Sequence, residues 1–320
     1  MKVIQWLGVM ALLTVVAMGL WMAVADDHQS TEALKWFQFV QTIGTFLLPP
    51  LVCAWLWSEE PMEWLHIGHG SLVIGHSNLA SLERSASPYG SLVLLLAVGM
   101  MIVAVPGINM LADWNSRLVL PECMAGIEQW MRAQEEAAAV LTQRFLGGTS
   151  VGVLIVNIGL LALLPAMAEE LTFRGVILSL VVGHWSLVNG QELRVKSEEL
   201  RAKSHIAVWV TAILFSAIHL QFYGFVPRML LGALFGYALL WTGTLWIPIV
   251  MHFTNNVIAV IAYWCVNRAG IDPESIDAFG TGETLWLGIV SLVLTAVGIY
   301  FFWRLSRQMS NASSRMSEGS

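Results

Sequence analysis

Apolar residues in this chain come in repeated runs of about 18 to 24, the length at which an α-helix crosses a bilayer, because roughly 30 Å of hydrocarbon at 1.5 Å per residue takes about 20 residues. A series of such runs implies an all-α, multi-pass transmembrane helical bundle. Segments near 3–25, 36–57, 90–112, 150–186, 206–221, 226–243, 245–265 and 284–303 give about eight spans.

Composition removes the competing classes. Of 320 residues, 57% are hydrophobic and 12% charged, against roughly a quarter charged in a soluble domain. A disordered chain, an ordinary soluble enzyme and a nucleic-acid binder are thereby excluded, the last also by a formal charge of −6. Fifteen Trp residues suit the headgroup level of a membrane. Cys53, Cys123 and Cys265 are odd in number and form no CxxC, so neither a disulfide framework nor a cysteine metal site is indicated.

The fourth apolar segment is too long for one perpendicular helix. Kept as one span kinked at Pro165, it gives eight crossings, with Lys2, the Arg194, Lys196, Arg201 and Lys203 cluster and the tail residues Arg304, Arg307 and Arg315 all in the cytoplasm, as the positive-inside rule requires. Both termini are then cytoplasmic. Ala23-Val24-Ala25 resembles a signal-peptidase site, but the apolar stretch before it exceeds a signal h-region, and a retained helix is expected. Trp64, Leu65, Leu72, Val73 and Ile74 suggest a segment lying on the membrane surface. Residues 113–148 read as a solvated helix ending at Gly147-Gly148.

Ionisable groups at membrane depth cost at least about 2.5–3.5 kcal/mol and are functional candidates by default. They fall into three clusters: Glu169, Glu170 and Arg174; Phe215 with His219; His252 with Asn256. Glu170 and Arg174 stand four apart and share a helix face, where they neutralise each other. Glu169 is rotated by about 100° and lacks that partner, which suits a general base for activating water. The histidines and the Asn256 amide supply support and a donor for a developing oxyanion. Singly, each cluster reads as packing or interhelical hydrogen bonding; together, on three helices, they point to chemistry. A non-catalytic scaffold or bacteriocin immunity factor and a proton-coupled transporter are the alternative classes.

The motifs Glu169-Glu170-x-x-x-Arg174, Phe215-x-x-x-His219 and His252-x-x-x-Asn256 resemble those of the CPBP intramembrane proteases, which include the type II CAAX prenyl endopeptidases and bacterial bacteriocin-processing or Abi proteins. The resemblance covers about residues 150–265. It implies a membrane-embedded endopeptidase in which Glu169 activates water, His219 assists, and His252 and Asn256 stabilise the oxyanion, with Glu170, Arg174 and Phe215 in support. The family has been described both as glutamic proteases and as metalloproteases. No cofactor is therefore required in one reading, and a divalent metal such as zinc, bound by Glu169, His219 and His252, in the other.

The implied organisation is N-terminal membrane helices with an interfacial linker and a solvated helix over 1–148, a CPBP-type protease core over 149–266, and a last transmembrane helix with a cytoplasmic tail over 267–320. The expected partners are a peptide or protein substrate at the membrane, lipidated or not, and membrane lipids. A bacterial inner membrane is the expected location. His66, His69 and His76 are expected to have surface roles, and Arg228 to snorkel to the interface.

Overall fold

The structure, a computed structural model of the chain, describes residues 1–24, 27–67, 88–182 and 198–318. Among them the regular structure is helical and contains no strand. The main helices are α1 (Lys2–Val24), α2 (Thr31–Trp57), α3 (Pro61–Trp64), α4 (Pro88–Ser116), α5 (Ala125–Leu146), α6 (Val151–Val182), α7 (Glu198–Ala217), α8 (Phe225–Thr242), α9 (Trp246–Ala269) and α10 (Leu285–Glu318). The Arg194 to Lys196 part of the basic cluster, His69, His76, His184, Leu72, Val73 and Ile74 lie outside the described residues.

Among the described residues seven helical stretches are long and apolar enough to cross a membrane; the eighth expected span is the shorter apolar helix Ser204–Ala217. It stops before residue 221 because the chain turns through Leu220 at φ 53°. Large apolar side chains such as Leu12, Ile102, Ile155, Ile289 and Val293 face outward, the reverse of a soluble surface and the arrangement that lipid contact demands. The chain is an integral membrane protein.

The fourth segment is one continuous helical run, Val151–Val182, containing π-helical stretches at Ile158–Leu163 and Leu171–Ile177. The first ends just before Pro165. Proline has no N–H and crowds the carbonyl four residues back; a π turn immediately upstream, with Leu164 N–H bonded to the Gly159 carbonyl, moves that crowding out of register. α2 repeats the device: Thr42–Leu47 is π-helical and precedes Pro49 and Pro50. In α4 the solution at Pro106 is different. Ser291 of α10 inserts its hydroxyl, accepting from Gly107 N–H and donating to the Val103 carbonyl, so the interrupted ladder is completed by its neighbour.

Two buried clusters flank the long helix. One joins α1, α2, α3, α6, α7, α8 and the start of α9 through residues including Trp6, Cys53, Leu171, Val208, Leu239 and Ile249. The other joins α4, α8, α9 and α10 through Met101, Phe235, Met251 and Phe302. Trp64 and Leu65 belong to the first cluster and do not lie on the membrane surface as expected. His66 is likewise buried, and its carbonyl accepts the Leu245 N–H. Anchoring at α9 draws this segment inward.

α8 crosses α7 at small residues. A Cβ on Gly232 would meet Phe215 Cδ1 at 3.1 Å and Ala212 Cα at 3.3 Å, and one on Gly236 would meet Val208 Cγ1 at 3.1 Å. The Gly-x-x-x-Gly spacing allows this close approach, and it brings Phe215 against α8. α5 ends at Gly147 as expected. Its outer part carries the exposed pair Glu128 and Arg132, where the guanidinium holds the Glu128 carboxyl below its usual range.

Candidate active site

α6, α7, α8 and α9 deliver the three clusters to one place. Glu170, fully buried, accepts from Arg174 Nη1 at 2.8 Å on Oε1. The same oxygen lies 2.9 Å from His252 Nδ1; an ionised carboxylate only accepts, so Nδ1 carries the hydrogen and donates. Arg174 Nη2 donates to the Gly232 carbonyl at 2.8 Å, and its guanidinium lies over the rings of Phe215 and Phe235, 4.6 and 5.5 Å from their centroids. One buried cation thus ties α6 to α8 while its carboxylate holds the imidazole of α9. The Glu170–Arg174 pairing is the one the spacing predicts; the bond from His252 is not readable from either helix alone.

Glu169 points elsewhere, as its rotation of about 100° requires. It lines a cavity of about 570 Å³ together with Phe215, His219, His252, Asn255 and Asn256. Its Oε2 stands 3.9 Å from Nε2 of His219 and 3.9 Å from Nε2 of His252, and has no hydrogen-bond partner among the described residues. His219 Nδ1 lies 2.7 Å from the Phe215 carbonyl. A carbonyl cannot donate, so Nδ1–H does, and in the neutral ring Nε2 is left as an acceptor toward Glu169.

His219 sits in the turn after α7 and not on the helix; the bond to Phe215 keeps the expected pairing across the helix end. Phe215 is a hub, edge-on to Phe173, His219 and His252 at centroid distances of 5.3, 5.1 and 5.8 Å. Phe235 stacks on His252 at 5.3 Å. The His252 imidazole is thereby held from both sides, and that of His219 by Phe215. Asn255 Nδ2 donates to Asn256 Oδ1 at 3.3 Å, so the remaining donors of Asn256 are those on its Nδ2.

α5 forms part of the cavity wall through Leu141, Thr142, Phe145 and Leu146, a role its solvated reading does not contain. Asn157 Nδ2 donates to the Phe145 carbonyl and Asn267 Nδ2 to that of Leu146, so the end of α5 is held by α6 and α9. Arg228 also lines the cavity. Its Nη1 and Nη2 donate to the carbonyl and Oε1 of Gln221, at 3.2 and 2.7 Å, so the group expected to snorkel is turned to the interior. Asn255, Gln221 and Gly232 are site residues the sequence reading missed. The rule that flags ions at membrane depth applied to Arg228 too.

Among the described residues no group of three or more His, Cys, Asp or Glu side chains is placed to hold a metal ion. Tetrahedral zinc, with bonds near 2.0–2.2 Å, sets ligand atoms roughly 3.3 Å apart. Both 3.9 Å edges at Glu169 are wider. The donor set does not close on zinc at these spacings.

Residues 151–258 match the family described as Type II CAAX prenyl endopeptidase Rce1-like, and all seven residues of the three clusters fall within the match. A 108-residue stretch is 28% identical to the uncharacterized protein YpbD of Bacillus subtilis (strain 168), covering 32% of this chain and 44% of that relative. The chain thus matches less than half the length of that relative. No solved structure matches. The three motifs of the site all lie inside the segment, residues 151–258, that is similar to the Type II CAAX prenyl endopeptidase Rce1-like family.

Proposed function

We propose that the chain is an intramembrane endopeptidase that hydrolyses a peptide bond with water activated by Glu169. The observation that carries this reading is the buried Glu169 Oε2, with no hydrogen-bond partner among the described residues and faced at 3.9 Å by two imidazole nitrogens whose other nitrogens are tied down. A water hydrogen-bonded to the carboxylate and to His219 Nε2 spans such a gap.

Glu169 takes a proton from the water, and the hydroxide oxygen attacks the scissile carbonyl carbon. The negative charge passes to the carbonyl oxygen. Asn256 Nδ2 donates to it, and so does His252 when its imidazolium form carries a proton on Nε2. The proton held by Glu169 then goes to the leaving nitrogen, directly or through His219, as the C–N bond breaks. Glu170 and Arg174 touch no reacting atom; they orient His252. We place the protein in a bacterial inner membrane with both termini in the cytoplasm.

The test is comparative peptidomics of membranes carrying the parent protein or Glu169→Gln. Peptides released by the parent and missing from the variant, at equal amounts of folded protein, are the expected result. Identical peptide sets would overturn the reading.

A further inference from the structure

The mechanism above uses one guanidinium of the membrane region and leaves a second. Arg228 lies in the span Phe222–Thr242 and lines the same cavity as Glu169 and His219. A cation at that depth is costly unless it is compensated. Arg174 is compensated by Glu170. Arg228, among the described residues, has no carboxylate within ion-pair distance, and both of its hydrogen bonds go to neutral acceptors on Gln221.

Those bonds orient the guanidinium while using two of its five N–H donors. Space beside it is kept by Gly224, where a Cβ would come within 3.3 Å of Nη2. Among the described residues no other Lys or Arg lines the cavity, and Glu169 is the acidic side chain there. Glu135, whose carboxylate accepts the Tyr223 N–H, faces Arg228 from α5 beyond ion-pair distance. The result is a fixed, planar cation with no ion pair among the described residues, in a cavity that also holds the reacting groups, with Glu135 and Glu169 both acting on it from beyond ion-pair distance. One guanidinium balances one negative charge, and its fork matches a carboxylate.

We propose that Arg228, oriented by Gln221 in the space that Gly224 leaves open, binds a carboxylate carried by the peptide substrate. The choice of a peptide rests on the peptidase reading. The consequence is a preference for substrates with a carboxylate, at the C-terminus or on an acidic side chain, at a set distance from the bond cut.

The test measures binding and not turnover, so its failure leaves the peptidase reading standing. Full-length Glu169→Gln protein is placed in phosphatidylcholine nanodiscs. Fluorescence anisotropy is read with three labelled apolar hexapeptides: one C-terminally amidated, one with a free C-terminal carboxylate, and one amidated with an internal glutamate. At least one acidic peptide is expected to bind about 10 to 100 times more tightly than the neutral one, the range of a charge-assisted hydrogen bond. The tighter of the two locates the carboxylate. Arg228→Gln should abolish the preference, weakening the acidic peptide far more than the neutral one, and Gly224→Ala, which keeps the charge but crowds it, should narrow the preference.

Equal binding of all three peptides by the Glu169→Gln protein overturns the proposal, and this arm stands even if Arg228→Gln does not fold. Uniform weakening of all three by Arg228→Gln overturns it also.

Discussion

Glu170 is sealed among helices, with Arg174 and His252 both donating to one of its oxygens, whereas Glu169, one residue earlier, opens on a cavity with an oxygen that no donor among the described residues reaches. The residue type is the same and the positions adjoin. Rotation about the helix axis puts one carboxylate into a network that holds four helices together and the other where a substrate arrives. A carboxylate whose donors are fixed is a part of the scaffold; one whose donors are missing is available for chemistry. The distinction lies in the neighbours and not in the glutamates.

Exchanging the glutamates one at a time is the sharpest way to break this comparison. Glu169→Gln should cut cleavage by about 10² to 10⁴, the typical worth of a positioned base, with folded yield unchanged. Glu170→Gln should instead destabilise the protein by about 3–5 kcal/mol, because it leaves the buried Arg174 charge uncompensated. Yield from size-exclusion chromatography and turnover per folded molecule separate the two. If the variants were alike in both measures, the division of roles would be wrong.

Asn256→Ala comes next. Loss of one oxyanion donor should lower kcat by roughly 10² to 10³ with KM little changed. A change confined to KM would make Asn256 a binding residue. Gly232→Val then probes the sealed side through packing. Its Cβ would press on Phe215 and on the backbone at Ala212, and overpacking of this kind costs about 1–3 kcal/mol, read as a lower unfolding temperature in detergent. Activity should fall with it, since Phe215 positions both imidazoles. The smallest expected effect is that of exhaustive chelation, which should leave turnover unchanged. Zinc bound one per chain, lost and regained together with activity, would falsify the metal-free form of the mechanism.

The sequence made the span lengths and the three clusters legible, because bilayer length and intramembrane charge leave marks within single helices. It also separated Glu169 from Glu170, since a rotation of about 100° per residue is a property of one helix. Contacts between helices left no such mark. The bond from His252 to Glu170 joins residues 82 apart, and helical periodicity says which face a residue occupies without saying what that face meets. For the same reason Trp64 and Leu65 were expected at the membrane surface when they are core, and Arg228 at the interface when it lines the cavity. His219 was expected on a helix that ends two residues before it. Nothing in the apolar pattern marks that end, because the turn itself is made of Leu220 and its neighbours.

The π-helical stretches of α6 set the phase of the glutamates. Upstream, Asn157 is pinned to the Phe145 carbonyl and to Lys35; downstream, Thr172 is pinned to the Phe46 carbonyl and Arg174 to Gly232. Between these two clamps the helix must accumulate a fixed total rotation, and the wider turn at Ile158–Leu163 is where the residue count and the required angle are reconciled. Removing one residue there would restore ordinary winding at the same phase, whereas ordinary winding over the same number of residues would turn the downstream half by about 100° against the upstream half. That is the angle between Glu169 and Glu170, so the spacing of the motif has meaning only at the phase that the wide turn supplies.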